Sequence, residues 1–354
     1  MQSILIDSNR VLQHSILDDL KNAEKSIYFE TYKLRDDVIG NEITKILVQK
    51  VKQGIEVKLL IDGYGSMGYF PLDEAITNAG GSVRYFKPLR LFLFGLLLKN
   101  SARNHRKLII IDEKITYFGS SNLTDYSLDW KELNIRIEDK TFAKVMCLVF
   151  ENSYKDYRIY DYDLYEHAKP LFANAMTIIQ DKPSAVQQTV KKHWIDLIKY
   201  ARRSIVIETP YFLPVHSFRK AMYRAVRRGV KVLVVIPQNS DMLLVDLLRN
   251  RYLGKCYKKG IDIMLYTPNN LHAKSLFIDE EIFSIGSPNI DYRSFRYQYE
   301  LVVTGSWRKI ANALLEHFTK IEKESVSFDY NDWKYRGVMI RFVEIILLPF
   351  KVFF

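Results

Sequence analysis

One group of residues occurs twice in this chain with identical internal spacing. The group is a histidine, a lysine, an aspartate and then a Gly-Ser-x-Asn turn, and each member of the second copy lies 167 positions after its counterpart in the first. No residue is therefore inserted or lost within either copy, and we expect two equivalent units that form one composite site. The first copy is His105, Lys107, Asp112, Gly119, Ser120 and Asn122, and the second is His272, Lys274, Asp279, Gly286, Ser287 and Asn289.

The repeat extends upstream of both motifs. In each half a helix ends and an apolar, partly β-branched strand follows. The matching stretches are 23–32 with 201–212 and 51–63 with 226–238. A chain of 354 residues also exceeds the size at which a single core usually keeps growing. We therefore expect two domains, residues 1–170 and 171–354.

Apolar strands alternate with amphipathic helices in both halves, which indicates an α/β architecture. We expect one mixed, mainly parallel sheet in each half, flanked by helices, and a pseudo-twofold axis between the halves. Residues two apart on a strand face the same side, so His105 and Lys107 should project together. We expect the first residues of the chain to form an amphipathic helix.

The charge balance favours a polyanionic partner. The chain has 52 lysine and arginine residues against 41 acidic ones, a net charge of +11, which suits nucleic acid or an anionic membrane surface. Cys147 and Cys256 lack metal-binding spacing, so we expect two reduced thiols and no metal site. The N-terminal residues do not have the pattern of a secretion signal.

Two apolar stretches, residues 89–98 and 343–354, are shorter than the roughly 20 residues that a transmembrane helix requires. Each can be a helix packed on the core or a segment inserted at a membrane interface, and the sequence leaves both interpretations open.

The doubled motif suits a double displacement at phosphorus. One histidine would attack as nucleophile, and the other would protonate the leaving oxygen. Lys107 and Lys274 would compensate the charge on the phosphate oxygens, and no metal or other cofactor is needed. The expected phosphate-binding donors are Ser120, Asn122, Ser287 and Asn289.

Carboxylates should support the site from outside. A carboxylate bound to each imidazole would fix its tautomer, and Glu132 and Glu300 are the candidates. Asp112 and Asp279 belong to the catalytic motif, but an aspartate that closes a strand commonly forms the turn, so we favour a structural role for them. The remaining histidines lack comparable neighbours; they are His14, His167, His193, His216 and His317.

These residues are the signature of the phospholipase D superfamily, and the resemblance covers essentially the whole chain. Within the superfamily the chain looks most like the bacterial cardiolipin synthases. Many of those enzymes begin with two transmembrane helices, so this chain resembles the shorter forms. The resemblance rests further on Arg103 and Asn104 before the first motif, on Trp130 after it, and on Asp291, Arg293, Ser294 and Glu300 after the second.

The resemblance implies that His105 is the nucleophile and His272 the general acid and base. A phosphatidyl group would pass from phosphatidylglycerol or phosphatidylethanolamine, through a phosphohistidine, to the headgroup of a phosphatidylglycerol. It also implies an anionic phospholipid surface as partner and a peripheral location on the cytoplasmic side of the cell membrane.

Other functions remain open from the sequence. Water could replace the acceptor alcohol, which would make the chain a phospholipase D that releases phosphatidic acid. A nuclease would also suit the basic charge, although the apolar stretches and the Asp291 to Glu300 signature argue against nucleic acid. A lipid-binding scaffold is disfavoured because both motifs are complete. The sequence does not specify the donor lipid or the oligomeric state.

Overall fold

The computed structural model of the chain describes residues 1–67, 70–87, 102–158, 169–184 and 186–353. The strands are β1 (Gln2–Ser8), β2 (Ser26–Thr31), β3 (Glu56–Asp62), β4 (Ser82–Phe86), β5 (Arg103–Asn104), β6 (Leu108–Ile111), β7 (Ile115–Gly119), β8 (Lys131–Glu138), β9 (Leu171–Ala173), β10 (Met176–Asp181), β11 (Ser204–Glu208), β12 (Lys231–Pro237), β13 (Asp262–Tyr266), β14 (Ser275–Ile278), β15 (Ile282–Gly286), β16 (Gln298–Gly305) and β17 (Ser325–Ser327). The helices are α1 (Asn9–Lys21), α2 (Val38–Lys52), α3 (Phe70–Asn78), α4 (Lys140–Lys155), α5 (Thr189–Tyr200), α6 (His216–Arg227), α7 (Leu243–Tyr257), α8 (Tyr292–Tyr297), α9 (Arg308–Lys323), α10 (Tyr330–Tyr335) and α11 (Val338–Leu347).

The two halves contain sheets of the same strand order. The first sheet runs β1-β8-β7-β6-β2-β3-β4 and the second runs β17-β13-β12-β11-β14-β15-β16-β10-β9. From one edge, the first sheet runs β4-β3-β2-β6-β7-β8-β1, and the corresponding strands of the second are β13-β12-β11-β14-β15-β16-β10. The second sheet has β17 and β9 in addition. The expected α/β fold with two repeated domains is confirmed.

Parallel pairing is less extensive than expected. Strands β2, β3 and β4 are parallel, as are β11, β12 and β13 and the short pair β5 and β16, whereas the other pairs within the two sheets are antiparallel. The motif strands are joined by short hairpins, which can only produce antiparallel neighbours. The sheets are therefore mixed, with the parallel part limited to the helix-connected strands.

The hairpin after each motif strand has the same backbone geometry. Asp112 and Glu113 have φ of 55° and 48°, and Asp279 and Glu280 have φ of 55° and 62°. Aspartate tolerates this left-handed conformation better than most residues. The motif aspartate therefore favours the turn that returns the chain to the site.

The N-terminus begins with a strand, not with the helix that was expected. Residues Gln2–Ser8 form β1, which pairs antiparallel with β8 before α1 begins. The pairing depends on a strand more than a hundred residues away, and local periodicity does not reveal such a partner.

The halves share one of three apolar cores. One core lies within the first half and another within the second. The third contains residues of both sheets, including Phe118 and Ile135 from the first and Ile285 and Val303 from the second. Burial of these side chains joins the halves.

Of the two apolar stretches, residues 89–98 lie outside the described residues. In the second stretch, α11 packs against α7, and a 3-10 turn after it contacts α8. Within the described part of the chain, no helix has both the length and the apolar character needed to cross a membrane.

Candidate active site

A cavity of about 580 Å³ lies between the two halves, and both motif histidines line it. His105 and His272 are 6% and 5% exposed, so each ring is buried except where it meets the cavity. Other described residues that line it are Tyr32, Lys33, Arg35, Asn122, Tyr126, Trp130, Tyr211, Asp241, Asn289, Asp291 and Arg293.

His105 is held by the second half of the chain. Its backbone N–H donates to the carbonyl of Tyr299 at 3.0 Å, next to the pairing of β5 with β16. Its Nδ1 lies 3.1 and 3.2 Å from the two carboxylate oxygens of Glu300 on β16. The ring of Tyr32 packs against it edge-on, with centroids 5.1 Å apart. With Nδ1 bound to Glu300, Nε2 is the nitrogen that remains for a substrate.

His272 is held in the same way by the first half. Its backbone N–H donates to the carbonyl of Lys131 at 2.7 Å, and its Nδ1 lies 2.7 Å from Oε1 of Glu132. The Trp130 ring lies beside it, with centroids 5.2 Å apart. The sequence singled out both glutamates, but the structure adds that each one orients the histidine of the opposite half.

The motif serines contact these glutamates. Ser120 Oγ donates to Glu132 Oε2 at 2.5 Å and accepts from the N–H of Leu133. Ser287 donates to Glu300 in the equivalent position. Neither serine is among the described residues that line the cavity. The structure thus places the serines behind the carboxylates, whereas the sequence analysis expected them on the phosphate. Each hydroxyl gives its proton to the glutamate and accepts from one backbone N–H of the adjacent strand.

The glycine before each serine permits this contact. A Cβ on Gly119 would lie 2.3 Å from the carbonyl oxygen of Leu133, and one on Gly286 would lie 2.0 Å from that of Leu301. Both carbonyls immediately follow the glutamates in sequence. Only glycine lets the motif strand approach closely enough for the serine to reach the carboxylate.

The motif asparagines do reach the cavity. Asn122 and Asn289 line it, and the Oδ1 atom of each is buried without a hydrogen-bond partner among the described residues. A buried polar atom of this kind normally requires a partner. Both side chains therefore face the cavity with an unsatisfied acceptor oxygen, and their role as donors to a phosphate stays a prediction.

The motif lysines lie beside the histidine backbones. Lys107 donates to the carbonyl of His105 at 2.6 Å, and Lys274 donates to that of His272 at 2.7 Å. Lys274 Nζ also lies 3.1 Å from each ring nitrogen of His272. Burial lowers the pKa of Lys274 to about 8, and burial together with the charge of Lys274 lowers the pKa of Lys107 well below its usual value.

Burial also changes the titration of the histidines. It holds the pKa of His105 well below that of a free imidazole, and the neighbouring charge of Lys107 adds to the effect. Burial lowers the pKa of His272 as well, against the opposing effect of Glu132. Burial raises the pKa of Glu300 to about 8. A neutral His105 ring at neutral pH is the form that a nucleophile needs.

The motif aspartates lie at the far end of the motif strands. Asp112 accepts from the backbone N–H groups of Glu24, Lys25 and Ser26 at 2.7 to 3.1 Å. Asp279 accepts from the N–H groups of Arg202, Arg203 and Ser204 at 2.6 to 3.1 Å. Neither aspartate is among the described residues that line the cavity. Their contacts tie the motif hairpin to the start of β2 or β11, which is a structural role.

One histidine outside the motifs lies in a buried ion-pair cluster. His317 Nε2 is 2.8 Å from Glu208, and its Nδ1 is 3.1 Å from Asp7. Burial disfavours the charged ring, but these two carboxylates raise the pKa of His317 to about 9. Because α9, β1 and β11 each supply one member, the cluster joins the two halves beneath the site.

The sequence analysis assigned no role to Lys33, Arg35 or Tyr126, which also line the cavity. Lys33 and Arg35 follow the carboxyl end of β2, where ligand sites of α/β folds commonly lie. Their position after a predicted strand was the sequence feature that could have identified them. Among the described residues, no group of three or more His, Cys, Asp or Glu side chains is placed to hold a metal ion.

Comparison with known sequences identifies the family. The sequence model described as "Cardiolipin synthase, PLD-like domain" matches residues 16–154 and 194–322. The chain is 30% identical over 360 residues to a cardiolipin synthase of Clostridium perfringens, covering 97% of this chain and 75% of the relative. It is 31% identical over 343 residues to a cardiolipin synthase of Oceanobacillus iheyensis, covering 94% and 71%.

Comparison with solved structures supports the fold. The crystal structure of a phosphatidylserine synthase from Haemophilus influenzae superposes with a TM-score of 0.80 over 99% of this chain and 92% of that one, at 14% identity. At such low identity the likeness concerns the fold alone. From the family match, the full-length relatives and the two complete motifs, the chain belongs to the cardiolipin synthase family and is a phospholipase D-type phosphatidyltransferase.

Proposed function

We propose that this chain forms cardiolipin by transferring a phosphatidyl group from one phosphatidylglycerol to another. The observation that carries the proposal is one cavity lined by two histidines, each with its Nδ1 bound to a glutamate of the other half, with Nε2 of His105 left for the substrate and Nε2 of His272 beside Lys274. Both relatives named above are cardiolipin synthases, which supports the same reaction.

In the first step, Nε2 of His105 attacks the phosphorus of the donor lipid. The bond from phosphorus to the headgroup oxygen breaks, and His272 gives its proton to that oxygen, so free glycerol leaves. The phosphatidyl group stays on His105 as a phosphohistidine. Glu300 stabilises the positive charge that develops on the His105 ring, since it accepts from Nδ1.

In the second step, the hydroxyl of the acceptor headgroup loses its proton to His272 and attacks the phosphohistidine. The bond between phosphorus and His105 breaks, and cardiolipin leaves. Lys107 and Lys274 supply positive charge beside the phosphate in both steps, and Asn122 and Asn289 offer amide groups to its oxygens. The incoming phosphate charge would favour the protonated form of both lysines.

The reaction can be tested with vesicles of radiolabelled phosphatidylglycerol. The proposal expects cardiolipin and free glycerol in equal amounts. Phosphatidic acid as the main product would instead indicate hydrolysis and would overturn the proposed transfer. A phosphatidylethanolamine donor is tested in the same assay by labelling that lipid alone and looking for labelled cardiolipin.

We also propose that α11 attaches the protein to an anionic membrane. Apart from Arg341, its outward side chains are apolar and strongly exposed, and its one acidic residue, Glu344, is 3% exposed and paired with Arg336 at 2.7 Å. Apolar side chains without an outward-facing acid suit the boundary between headgroups and acyl chains. The exposed fractions are 81% for Val338, 74% for Met339, 58% for Phe342, 57% for Ile345 and 50% for Ile346.

The position of α11 connects this surface to the cavity. The turn after α11 contacts α8, and Lys351 in that turn lies 5.2 Å from the centre of the Tyr292 ring. Tyr292 lies between Asp291 and Arg293, which both line the cavity. A lipid that enters from a membrane held at α11 therefore has a short route to the histidines.

Sedimentation with anionic vesicles tests this attachment. Replacing Met339, Phe342 and Ile346 by serine should reduce binding at least about tenfold, because three apolar side chains no longer leave water. The matched control replaces Val11, Leu148 and Phe172, which are 58, 60 and 72% exposed elsewhere on the surface. Equal binding by both triple variants would contradict the assignment of α11.

A further inference from the structure

Cardiolipin formation needs a second lipid whose own phosphate takes no part in the bond changes. The acceptor phosphatidylglycerol keeps its phosphodiester, with one negative charge, while its terminal hydroxyl reacts. The motif lysines and asparagines are occupied by the phosphate of the donor. A site that accepts the second lipid therefore needs positive charge elsewhere on the cavity wall.

Lys33 and Arg35 meet this requirement. Both line the cavity, and within the described ranges neither forms an ion pair with a carboxylate. Lys33 donates to the hydroxyl of Tyr126 at 2.9 Å, and the Arg35 guanidinium lies 5.3 Å from the centre of the same ring. Tyrosine stacking orders these cations without neutralising their charge.

The neighbouring acids are used by the backbone. Asp37 accepts from the N–H groups of Gly40 and Asp125. Asp125 in turn accepts from the N–H groups at the start of α2, at 2.9 and 3.0 Å. Two carboxylates that could have paired with Lys33 and Arg35 are thus directed to helix α2 instead.

The segment that carries the two cations is anchored. Leu34, between them, is fully buried and forms a β-bridge with Leu123. Its N–H donates to the hydroxyl of Ser66 at 2.9 Å. Flanking a fixed residue, Lys33 and Arg35 both project toward the cavity before any ligand arrives, which lowers the entropy cost of binding.

Aromatic rings connect these cations to both histidines. Tyr32 lies between His105 and Lys33, with its ring centre 5.1 Å from that of His105 and 5.9 Å from Lys33 Nζ. On the other side, the Tyr126 ring contacts Trp130 at 5.2 Å, and Trp130 contacts His272. A phosphate bound to these cations therefore lies close enough to the histidines for the terminal hydroxyl of the same headgroup to reach the reacting phosphorus.

The wall from the second half carries charges of both signs. Asp241 lines the cavity there and accepts a hydrogen bond from Tyr211 at 2.7 Å, and Asp291 and Arg293 line it as well. Two acids and one cation attract a phosphate less than the two cations Lys33 and Arg35 do. The cavity thus favours one orientation of an anionic headgroup.

We propose that Lys33 and Arg35, on the Tyr126 ring, bind the unreacted phosphate of the acceptor phosphatidylglycerol. This inference rests on the proposed formation of cardiolipin. The acceptor hydroxyl gives its proton to His272 and forms the new bond to phosphorus as the bond to His105 breaks, while the bound phosphate keeps its charge and its bonds. Neutral acceptors such as free glycerol make no use of this site.

Two reactions from the same vesicles separate the acceptor from the donor. Cardiolipin formation needs both lipids, whereas exchange of labelled free glycerol into phosphatidylglycerol needs the donor site only. In a Lys33→Gln, Arg35→Gln double variant, cardiolipin formation should fall at least about tenfold, because two charge-assisted contacts are lost. Glycerol exchange should stay within about threefold, which also shows that the variant is folded.

A control variant accounts for general attraction to anionic vesicles. Lys45→Gln with Lys52→Gln removes the same charge from exposed positions on α2. It should lower neither reaction by more than about twofold, since it leaves the cavity unchanged.

Each outcome has one meaning. Loss of both reactions to the same extent in the Lys33 and Arg35 variant would overturn the acceptor site, as would a control that loses cardiolipin formation equally. Glycerol exchange by the unaltered protein without any cardiolipin would instead overturn the proposed function.

Discussion

The two halves have the same scaffold but present different faces to the cavity. Both hold their motif histidine by a backbone carbonyl and a glutamate from the other half. The walls differ, because the first half supplies the cations Lys33 and Arg35, whereas the second supplies Asp241 and Asp291 together with Arg293. Duplication thus preserved the parts that orient the histidines, while the parts that contact the two lipids diverged.

The lysines differ as well. Lys274 contacts the ring nitrogens of His272, whereas Lys107 donates to the backbone carbonyl of His105. A cation beside the His272 ring opposes its protonation, and the carboxylate of Glu132 favours it. This balance suits a group that must both give and take a proton, in contrast to a nucleophile that must stay neutral.

The largest expected effect separates the roles of the two histidines. His105→Asn and His272→Asn should each lower cardiolipin formation by at least about 10⁴-fold, because each removes a group that acts in both steps. With lipid labelled at phosphorus, the His272 variant should slowly collect label on protein, whereas the His105 variant should collect none. Label on His272 in the His105 variant would reverse the assignment.

Because each glutamate orients the histidine of the other half, replacing a glutamate should impair the histidine of the opposite motif. Glu300→Gln should slow the loading of His105, and Glu132→Gln should slow proton transfer by His272, each by about a hundredfold. Rapid-quench measurement should show both glycerol release and phosphoenzyme decay slowed in the Glu132 variant, because His272 transfers a proton in each step, and mainly glycerol release slowed in the Glu300 variant. Slower glycerol release with unchanged phosphoenzyme decay in the Glu132 variant would contradict the crossed arrangement.

The pH profile should show the effect of burial on both sides. The acidic limb of kcat/KM should lie below pH 6.5, since the pKa of His105 is lowered and the ring must be neutral to attack. The alkaline fall should begin where His272 loses the proton that it donates, since burial lowers the pKa of that ring, and it should steepen near pH 8, where Lys274 loses its charge. Lys274→Arg should move the fall near pH 8 upward at a lower maximal rate, because a guanidinium stays charged. An unmoved limb would assign it to another group.

The smallest expected effect concerns the aspartates, where the halves should behave alike. Asp112→Ala and Asp279→Ala should each lower the free energy of unfolding by about 2 kcal/mol, through loss of the acceptor for three backbone N–H groups. The asparagine variants should lose about half as much, because an amide oxygen still accepts and asparagine tolerates positive φ. Urea titration measures this.

Activity distinguishes the structural role of these aspartates from a chemical one. At a temperature where all four variants are folded, their cardiolipin formation should stay within about threefold of the unaltered protein. Loss of activity without loss of stability would assign the aspartates to the chemistry.

The local part of the site could be predicted from the sequence. The repeat predicted the strand and hairpin of each motif, since periodicity and the aspartate turn act over a few residues. The crossed pairs could not be predicted, because His272 and Glu132 are 140 residues apart and His105 and Glu300 are 195 apart. Their contact depends on how the halves dock.

Contacts between residues far apart in sequence also explain why the sequence did not reveal the positions of Ser120 and Ser287 or the role of Lys33 and Arg35. In sequence, Ser120 and Ser287 look like phosphate donors, and only the pairing of the motif strand with β8 or β16 shows that glutamate is nearer. Lys33 and Arg35 are two surface cations in sequence. Only the structure shows that both contact Tyr126, which lies more than ninety residues further along the chain, at the cavity.

The apolar core shared by both sheets has a consequence for the molecule as a whole. An isolated half would expose Phe118 and Ile135, or Ile285 and Val303, to water and would also lose the glutamate that orients its histidine. The chain is in effect an obligate dimer whose partner is tethered, so the effective concentration of the second half stays high at any dilution of the protein. Assembly of the catalytic pair is thereby independent of how scarce the enzyme is.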